Sequence, residues 1–284
     1  MTGISEPAIR PEPALWRGMT RAELDAAYNN MAAVPDSAAR LADWTARSAL
    51  LRAARPDLLD RRYGPRERQR IDLFRCGRAG APLLVFIHGG YWQRNAKEMF
   101  ACFAAGPLAH GFDVALPGYT LAPEASLTGI VAEIGEALGW LRREGPALGV
   151  AEGPLVVSGW SAGGHLAALA MRRPEVDAGL AISGIFELEP CRLGELNEKL
   201  RLTRDEVEGL SPIRLPPAGT GPLVVAYGAN ELPELRRQSE GFAATGHAPT
   251  RLLPLPGHDH FSILEELARP DGRLTAAVQS LVAR

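Results

Sequence analysis

The chain has 284 residues, a hydrophobic content of 46% and a formal net charge of −2. This length can bury a sizeable core in one domain, and the near-neutral charge argues against nucleic-acid binding. The three cysteines are widely spaced, which argues against a disulfide framework or a CxxC metal pair and suits a reducing cytoplasm.

The N-terminus, residues 1–7, lacks the basic and then apolar pattern of a signal peptide. No apolar run approaches the roughly 18 residues that a membrane-spanning helix needs. We therefore expect a soluble cytoplasmic protein that does not enter a membrane.

Residues 1–60 are predicted to form a helical lead-in. Thr20 and Glu23 have the spacing of a capping box, and apolar residues then continue on one helix face as far as Met31. A second helix is predicted over residues 37–51.

The middle of the chain alternates strand and helix patterns. Residues 69–74 alternate polar and apolar side chains, as an antiparallel edge strand does. Later apolar runs without alternation are typical of strands buried on both faces: 83–87, 113–116, 155–158, 178–183 and 223–227. Helical patterns separate them: 97–109, 130–143, 163–172 and 233–244. The order predicts an α/β fold with a mostly parallel, doubly wound sheet and flanking helices.

Residues 186–217 interrupt this alternation with a long, charged and irregular segment that contains two short helical patterns, 195–200 and 204–210. An insertion of this length between core strands is more often functional than not. We expect one domain over residues 1–284, with a lid formed by the N-terminal helices, by the 186–217 insertion, or by both.

A nucleophile motif follows the third apolar run. Residues 159–163 read Gly-Trp-Ser-Ala-Gly, the G-x-S-x-G pattern in which a sharp strand-to-helix turn exposes a serine. The preceding strand and following helix give this short motif the context it needs. Ser161 is therefore the predicted nucleophile of an α/β-hydrolase fold.

A second glycine motif, His88-Gly89-Gly90, directly follows the first buried strand. Glycines let backbone N–H groups turn toward a substrate without obstruction from a Cβ atom. We predict an oxyanion hole from the N–H groups of Gly89 or Gly90 together with that of Ala162. His88 is expected to stabilise this loop by hydrogen bonds.

The general base should come late in the chain, because this fold orders its triad as serine, acid, histidine. His258 and His260 are the two candidates, and His260 is preferred because an apolar segment anchors it. The His-x-His spacing also raises a metal site, but further ligands are not evident, so no metal or cofactor is predicted.

The acid should follow the predicted strand at 223–227. Glu231 lies in the loop itself, whereas Glu234 follows Pro233 and would occupy the first turn of a helix. A glutamate in a first turn is most simply a partner of the helix dipole. Glu231 is therefore the preferred acid, with Glu234 left as the alternative.

Several longer motifs resemble one known family. They are His88-Gly89-Gly90-Tyr91-Trp92-Gln93, the segment from Gly159 to His165, Ser183-Gly184-Ile185-Phe186-Glu187-Leu188-Glu189-Pro190 and His260-Phe261. Together with shorter matches they cover nearly everything after the first twenty or so residues. The sequence is similar to the arylformamidase (kynurenine formamidase) family of the α/β-hydrolase superfamily.

The resemblance assigns Ser161 and His260 the roles of nucleophile and base. The aspartate that serves as the family's acid falls on Glu231, so this chain has a glutamate with one methylene more. The implied substrate is N-formyl-L-kynurenine, an aryl formamide. Bacterial relatives with these motifs include esterases.

An aryl ketone substrate needs aromatic walls and its amino-acid end needs a cation or amide. Tyr91, Trp92 and Phe186 are the candidate walls, although each could equally be core packing. Arg94 and Asn197 are the weaker candidates for the polar end. The expected partner is thus a small-molecule aryl formamide or ester.

Two other functions stay open at this point. A general carboxylesterase or aryl amidase would use the same triad with a different pocket. A binding protein on an inactive hydrolase scaffold is the other, although such proteins tend to lose the serine or the histidine. The oligomeric state, including a homodimer, also stays open.

Overall fold

A computed structural model describes residues 13–216, 219, 221–245 and 249–283. Within these residues one sheet has the strand order β1-β2-β4-β3-β5-β6-β7-β8. The strands are β1 Arg61–Arg62, β2 Arg70–Phe74, β3 Leu83–Ile87, β4 Asp113–Pro117, β5 Leu155–Trp160, β6 Ala178–Ile182, β7 Leu223–Gly228 and β8 Thr250–Leu255. β2 runs antiparallel to β1 and β4, and the other pairs are parallel. The predicted mostly parallel sheet is confirmed.

Helices flank this sheet. They are α1 Arg21–Ala27, α2 Asn30–Ala33, α3 Ser37–Ala54, α4 Ala105–Ala109, α5 Leu127–Glu144, α6 Ala162–Ala170, α7 Glu189–Leu193, α8 Asn197–Leu200, α9 Arg204–Leu210, α10 Pro233–Ala243, α11 Glu265–Ala268 and α12 Arg273–Val282. Turns of 3₁₀ helix cover Lys97–Ala104, Pro146–Leu148, Pro212–Arg214 and Ser262–Leu264. None of the helices in the described part of the chain is long and apolar enough to span a membrane.

Both faces of the sheet carry an apolar layer, because neighbouring residues of a strand point to opposite faces. Val85 of β3 belongs to the layer that contains side chains of α1, α5 and α6. Leu84, its neighbour, belongs to the layer that contains Trp44 of α3 and side chains of α11 and α12. The sheet is therefore doubly wound, as predicted.

The predicted first helix is only partly correct. Thr20 and Glu23 form both hydrogen bonds of the capping box. The helix ends at Ala27, however, and Met31 is 38% exposed rather than part of its buried face. The reason is local: the Asn29 side chain accepts a hydrogen bond from the backbone of α2 and starts that separate short helix.

The prediction of an alternating edge strand at 69–74 is wrong in two respects. β1 pairs outside β2, so β2 is not at the edge. Asp72 on β2 is fully buried, because Arg52 and Lys97 bind its carboxylate at 2.9 and 2.7 Å. Strand β8, which the sequence analysis did not predict, is an edge strand that tolerates Pro254.

The N-terminal helices serve two different parts of the molecule. α1 contacts the 186–217 insertion, where the backbone N–H of Glu195 donates to Asp25 at 2.6 Å. α3 instead packs on the other face, with Trp44 edge-on to Trp160 at 5.7 Å. The first residues of the predicted lead-in, 1–12, and Pro217 at the end of the insertion lie outside the described residues.

Candidate active site

Ser161 stands between β5 and α6 in a strained conformation. Its φ of 57° and ψ of −119° lie outside the regions that ordinary residues prefer, and such geometry typically costs about 1–3 kcal/mol. A Cβ on Gly159 would lie 2.2 Å from the carbonyl oxygen of Gly163, and a Cβ on Gly163 would lie 2.0 Å from that of Ile87. Both glycines are therefore sterically required where the serine turn packs against β3.

The predicted oxyanion loop lies directly on this turn. A Cβ on Gly89 would be 2.6 Å from the carbonyl oxygen of Trp160 and 3.0 Å from Cβ of Ser161. Gly90 has a φ of 123°, which only glycine adopts without strain. In the described part of the chain, the N–H groups of Gly89, Gly90 and Ala162 have no hydrogen-bond partner. The structure thus packs the loop at Gly89 against the turn that carries Ser161 and Ala162.

His88 and Asn95 orient the peptide that joins the two glycines. Both side chains donate to the carbonyl oxygen of Gly89, from Nδ1 of His88 at 2.9 Å and from Nδ2 of Asn95 at 3.2 Å. A trans peptide carries its N–H opposite its C=O, so the Gly90 N–H faces away from both side chains. Burial lowers the pKa of His88 to about 4, so the ring is neutral at pH 7 and acts as a structural donor.

The two other triad candidates, Glu231 and His260, contact each other. Nδ1 of His260 lies 3.2 Å from Oε2 of Glu231. The other oxygen, Oε1, accepts from Ser183 Oγ and from the Gly228 N–H, each at 2.6 Å. The indole of Trp160, adjacent to Ser161, donates to the carbonyl oxygen of His260 at 2.7 Å. Ser161, Glu231 and His260 are only 2%, 5% and 3% exposed.

The alternative acid, Glu234, is engaged elsewhere. Arg237 binds both of its carboxylate oxygens at 2.7 and 2.8 Å, and the Tyr28 hydroxyl donates to one of them at 3.2 Å. Burial alone would raise its pKa, but the bonds and charge of Arg237 outweigh that effect and lower it. The structure therefore brings Glu231, and not Glu234, to His260.

The alternative base, His258, makes its contacts elsewhere. His258 lies 3.2 Å from the carbonyl oxygen of Ser262 and 3.5 Å from Glu266. The two histidines of the His-x-His pair thus face different carboxylates. Among the residues that the structure describes, no cluster of three or more histidine, cysteine or acidic side chains could hold a metal ion.

The residues predicted to bind substrate are divided by the structure. Trp92 and Phe186 have no exposed surface, and Phe186 stacks on Phe242 at 4.4 Å, so both are core residues rather than walls of an open pocket. Their aromatic character is explained by packing. The Asn197 side-chain carbonyl accepts from the Leu202 backbone at 2.7 Å and so stabilises its own turn.

Tyr91 and Arg94 line an open cleft of about 320 Å³ between α1–α2 and α7–α8. The Tyr91 hydroxyl donates to the carbonyl oxygen of Tyr28 at 2.5 Å and accepts from Asn30 at 2.9 Å. Tyr91 therefore connects the oxyanion loop to the N-terminal helices. Of the predicted wall residues, it is the one that borders open space.

Sequence reasoning overlooked three residues of the site. Ser183, Asn95 and Trp160 each hold a predicted site residue in place through a side-chain hydrogen bond. Ser183 and Trp160 lie within recognised motifs, which was the available signal. The spacing of residues within a motif does not show which distant residue a side chain will bind by a hydrogen bond.

Fold and site together define the class of this protein. The sheet is mostly parallel, with a strained serine after β5, a glycine loop after β3, and a paired glutamate and histidine after β7 and β8. This arrangement is that of a hydrolase of the α/β-hydrolase fold.

Comparisons with known proteins identify the family. The BD-FAE family model matches residues 71–179. Kynurenine formamidase of Salmo salar is 30% identical over 80% of this chain and 82% of its own length, and that of Danio rerio is 25% identical over 95% and 99%. A structure from a Silicibacter species, named as a candidate thioesterase, is 30% identical, with a TM-score of 0.82 over 90% of this chain and 99% of its own. The chain belongs to the kynurenine formamidase family.

Proposed function

We propose that this protein is a serine hydrolase that cleaves the formamide bond of N-formyl-L-kynurenine. The observation that carries the proposal is the strained Ser161 with the Gly89–Gly90 loop packed on it and the Glu231–His260 pair beside Trp160. These are the parts that acyl transfer needs: a nucleophile, backbone donors for an oxyanion, and an oriented base.

In the proposed reaction Ser161 Oγ attacks the formyl carbon while His260 takes the hydroxyl proton. Charge that develops on the formyl oxygen is stabilised by the N–H groups of Ala162 and of Gly89 or Gly90. Glu231 keeps Nδ1 of the imidazole protonated and stabilises the imidazolium. His260 then protonates the departing aryl amine, and water releases formate from the formyl-enzyme.

The small acyl group agrees with the enclosure of the site. Ser161 is 2% exposed, and a formyl group needs almost no acyl pocket. The kynurenine formamidases of Salmo salar and Danio rerio support the same substrate.

A general esterase or thioesterase is the second candidate. The candidate thioesterase from Silicibacter, at 30% identity and nearly full coverage, supports it. The same serine, histidine and oxyanion donors would cleave a short ester or thioester, because the acyl-enzyme steps are shared. The two candidates differ in the acyl group that is transferred and in the group that leaves.

The cap is part of the proposal. α1 and α2 with the 186–217 insertion would cover the site, because Asp25 contacts Glu195 and Tyr91 contacts Tyr28 beside the open cleft. The aryl ketone and the amino-acid end would then lie under these helices. Tyr91 is the proposed aromatic contact and Arg94 the proposed cation.

A substrate panel tests the proposal. The purified chain should hydrolyse N-formyl-L-kynurenine with a higher kcat/KM than p-nitrophenyl acetate, a short thioester or a long p-nitrophenyl ester. Ser161→Ala should abolish turnover and labelling by diisopropyl fluorophosphate. Efficient ester or thioester turnover with an untouched formamide would favour the second candidate, and labelling retained in Ser161→Ala would refute the nucleophile.

A further inference from the structure

The carboxylate of Glu231 is anchored at a single oxygen. Oε1 accepts from Ser183 Oγ and from the Gly228 N–H, both at 2.6 Å, and this leaves Oε2 for His260. A glutamate has one more rotatable bond than an aspartate, and burial alone does not choose its orientation. Two donors on one oxygen remove that freedom.

Ser183 is held in place for this contact. It is fully buried immediately after β6, with a φ of 50° that is uncommon for a residue other than glycine. Its N–H donates to the carbonyl oxygen of Ala226 on β7 at 2.7 Å, and the carbonyl oxygen of the preceding Ile182 accepts from the Ser161 N–H at 2.8 Å. The carbonyl group of Ile182 thus binds the backbone of the nucleophile, and the side chain of the next residue, Ser183, binds the acid.

We propose that Ser183 is a positioning residue for the triad acid, and that its hydroxyl fixes the orientation of the Glu231 carboxylate toward His260. This inference rests on the proposed function, since it assumes that Glu231 acts through His260. Ser183 touches neither substrate nor Ser161 Oγ, and acts through Glu231.

The contact has a measurable consequence for proton binding. A hydroxyl that donates to a carboxylate stabilises its charged form. Without that donor, the charged form of the Glu231 carboxylate loses part of its stabilisation. The phenols of Tyr91 and Tyr227 interact with Glu231 as well, but burial raises the pKa of Tyr227 to about 12 and also raises the pKa of Tyr91. Neither phenol titrates where activity is measured.

The experiment compares Ser183→Ala and Ser183→Gly with Ser158→Ala. Glycine relaxes the positive φ while removing the same hydroxyl, so it separates strain from hydrogen bonding. Ser158 is a matched control, because it is a fully buried serine on neighbouring β5 whose hydroxyl donates to the carbonyl oxygen of Leu180 at 2.9 Å instead of to the acid. Kinetics are measured across pH with the best substrate of the panel.

Both Ser183 variants should lower kcat about 10- to 100-fold with little change in KM, the range expected for losing a hydrogen bond to a charged group. The acid limb of kcat/KM should move up by about one pH unit. Ser158→Ala should leave the acid limb in place. In a Glu231→Gln background, Ser183→Ala should cost almost no further kcat, because residues that act as a unit are not additive.

Two results would overturn the inference: kcat of Ser183→Ala within twofold of the parent, or a loss with an unmoved acid limb and a fall in Tm like that of Ser158→Ala. The rate of labelling by diisopropyl fluorophosphate gives the same test without a substrate. If the parent labels at Ser161 but ignores formamides, the substrate proposal fails while the Ser183 variants still decide this one. A parent that neither labels nor turns over any substrate overturns both.

Discussion

The two halves of the site are built by different means. The nucleophile half, Ser161 with the loop at Gly89, is shaped by backbone approaching backbone at distances that only glycine permits. The acid–base half, Glu231 with His260, is shaped by side-chain hydrogen bonds from elements far apart in sequence, including Ser183. Backbone packing makes a half in which an added Cβ would clash, whereas the other half depends on individual side-chain hydrogen bonds.

The largest expected effect tests the acid–base half. Glu231→Gln should lower kcat by about 10³- to 10⁴-fold, because an amide stabilises the wrong imidazole tautomer and no longer stabilises the imidazolium. Glu234→Gln is the matched control and should keep kcat within a few fold, since Arg237 rather than His260 binds that carboxylate. The steady-state kcat values of the two variants decide which glutamate is the triad acid. Equal losses would mean that the acid has been assigned to the wrong residue.

The second effect tests the backbone half. Gly163→Ala should destabilise the protein by about 3 kcal/mol or more, because the new Cβ would meet the carbonyl oxygen of Ile87 at 2.0 Å. Gly129→Ala on α5 serves as the control, with its nearest atom at 3.6 Å. That helical substitution should be neutral or stabilising by up to about 1 kcal/mol. Urea denaturation measures both, and a Gly163→Ala variant as stable as its parent would contradict the steric argument.

The smallest effect concerns the acid sensitivity of the backbone half, which holds two buried neutral histidines. Burial lowers the pKa of both His88 and His165 to about 4. As pH falls below about 6.5, the unfolded chain binds protons that the folded chain does not, so stability declines until the folded pKa is reached. Each histidine should lower the free energy of unfolding by about 1.6 kcal/mol between pH 6.5 and pH 5.

Urea denaturation as a function of pH measures this decline. The histidine ring of His165 binds the Leu210 carbonyl oxygen at 2.8 Å, and the amide of His165→Gln can keep this bond. The free energy of unfolding of this variant should fall less steeply with decreasing pH, by the contribution of one histidine. An unchanged slope in this variant would show that other groups cause the loss of stability.

The difference between the halves also explains what the sequence could predict. Glycines at fixed spacing around Ser161 are a local pattern, so the nucleophile turn and the oxyanion loop were predictable. The choice between Glu231 and Glu234 depended on the local argument that a first-turn glutamate serves the helix. The hydroxyl of Ser183 reaches the acid across 48 residues of chain, and no local pattern records such a contact.

The predictions that were wrong or undecided elsewhere in the chain also depended on contacts that no local sequence pattern shows. Asp72 is buried on β2 because Arg52 and Lys97 neutralise it, so a polar residue at that position wrongly indicated a solvent face. Trp92 and Phe186 were weighed as pocket walls or core, and only packing could decide between these roles. Strand β8 carries a proline and lies at the sheet edge, where periodicity is weak.

The contacts of the N-terminal helices with residues distant in sequence have a consequence for how the chain folds during synthesis. Tyr28 is hydrogen-bonded to Gln238, and Trp44 donates to Glu265, across 210 and 221 residues of sequence. These helices leave the ribosome before the segments that contain Gln238 and Glu265, and they find these partners only after those segments have emerged. Until then the indole of Trp44 lacks its final packing, so the nascent chain carries an exposed aromatic surface that a chaperone could recognise.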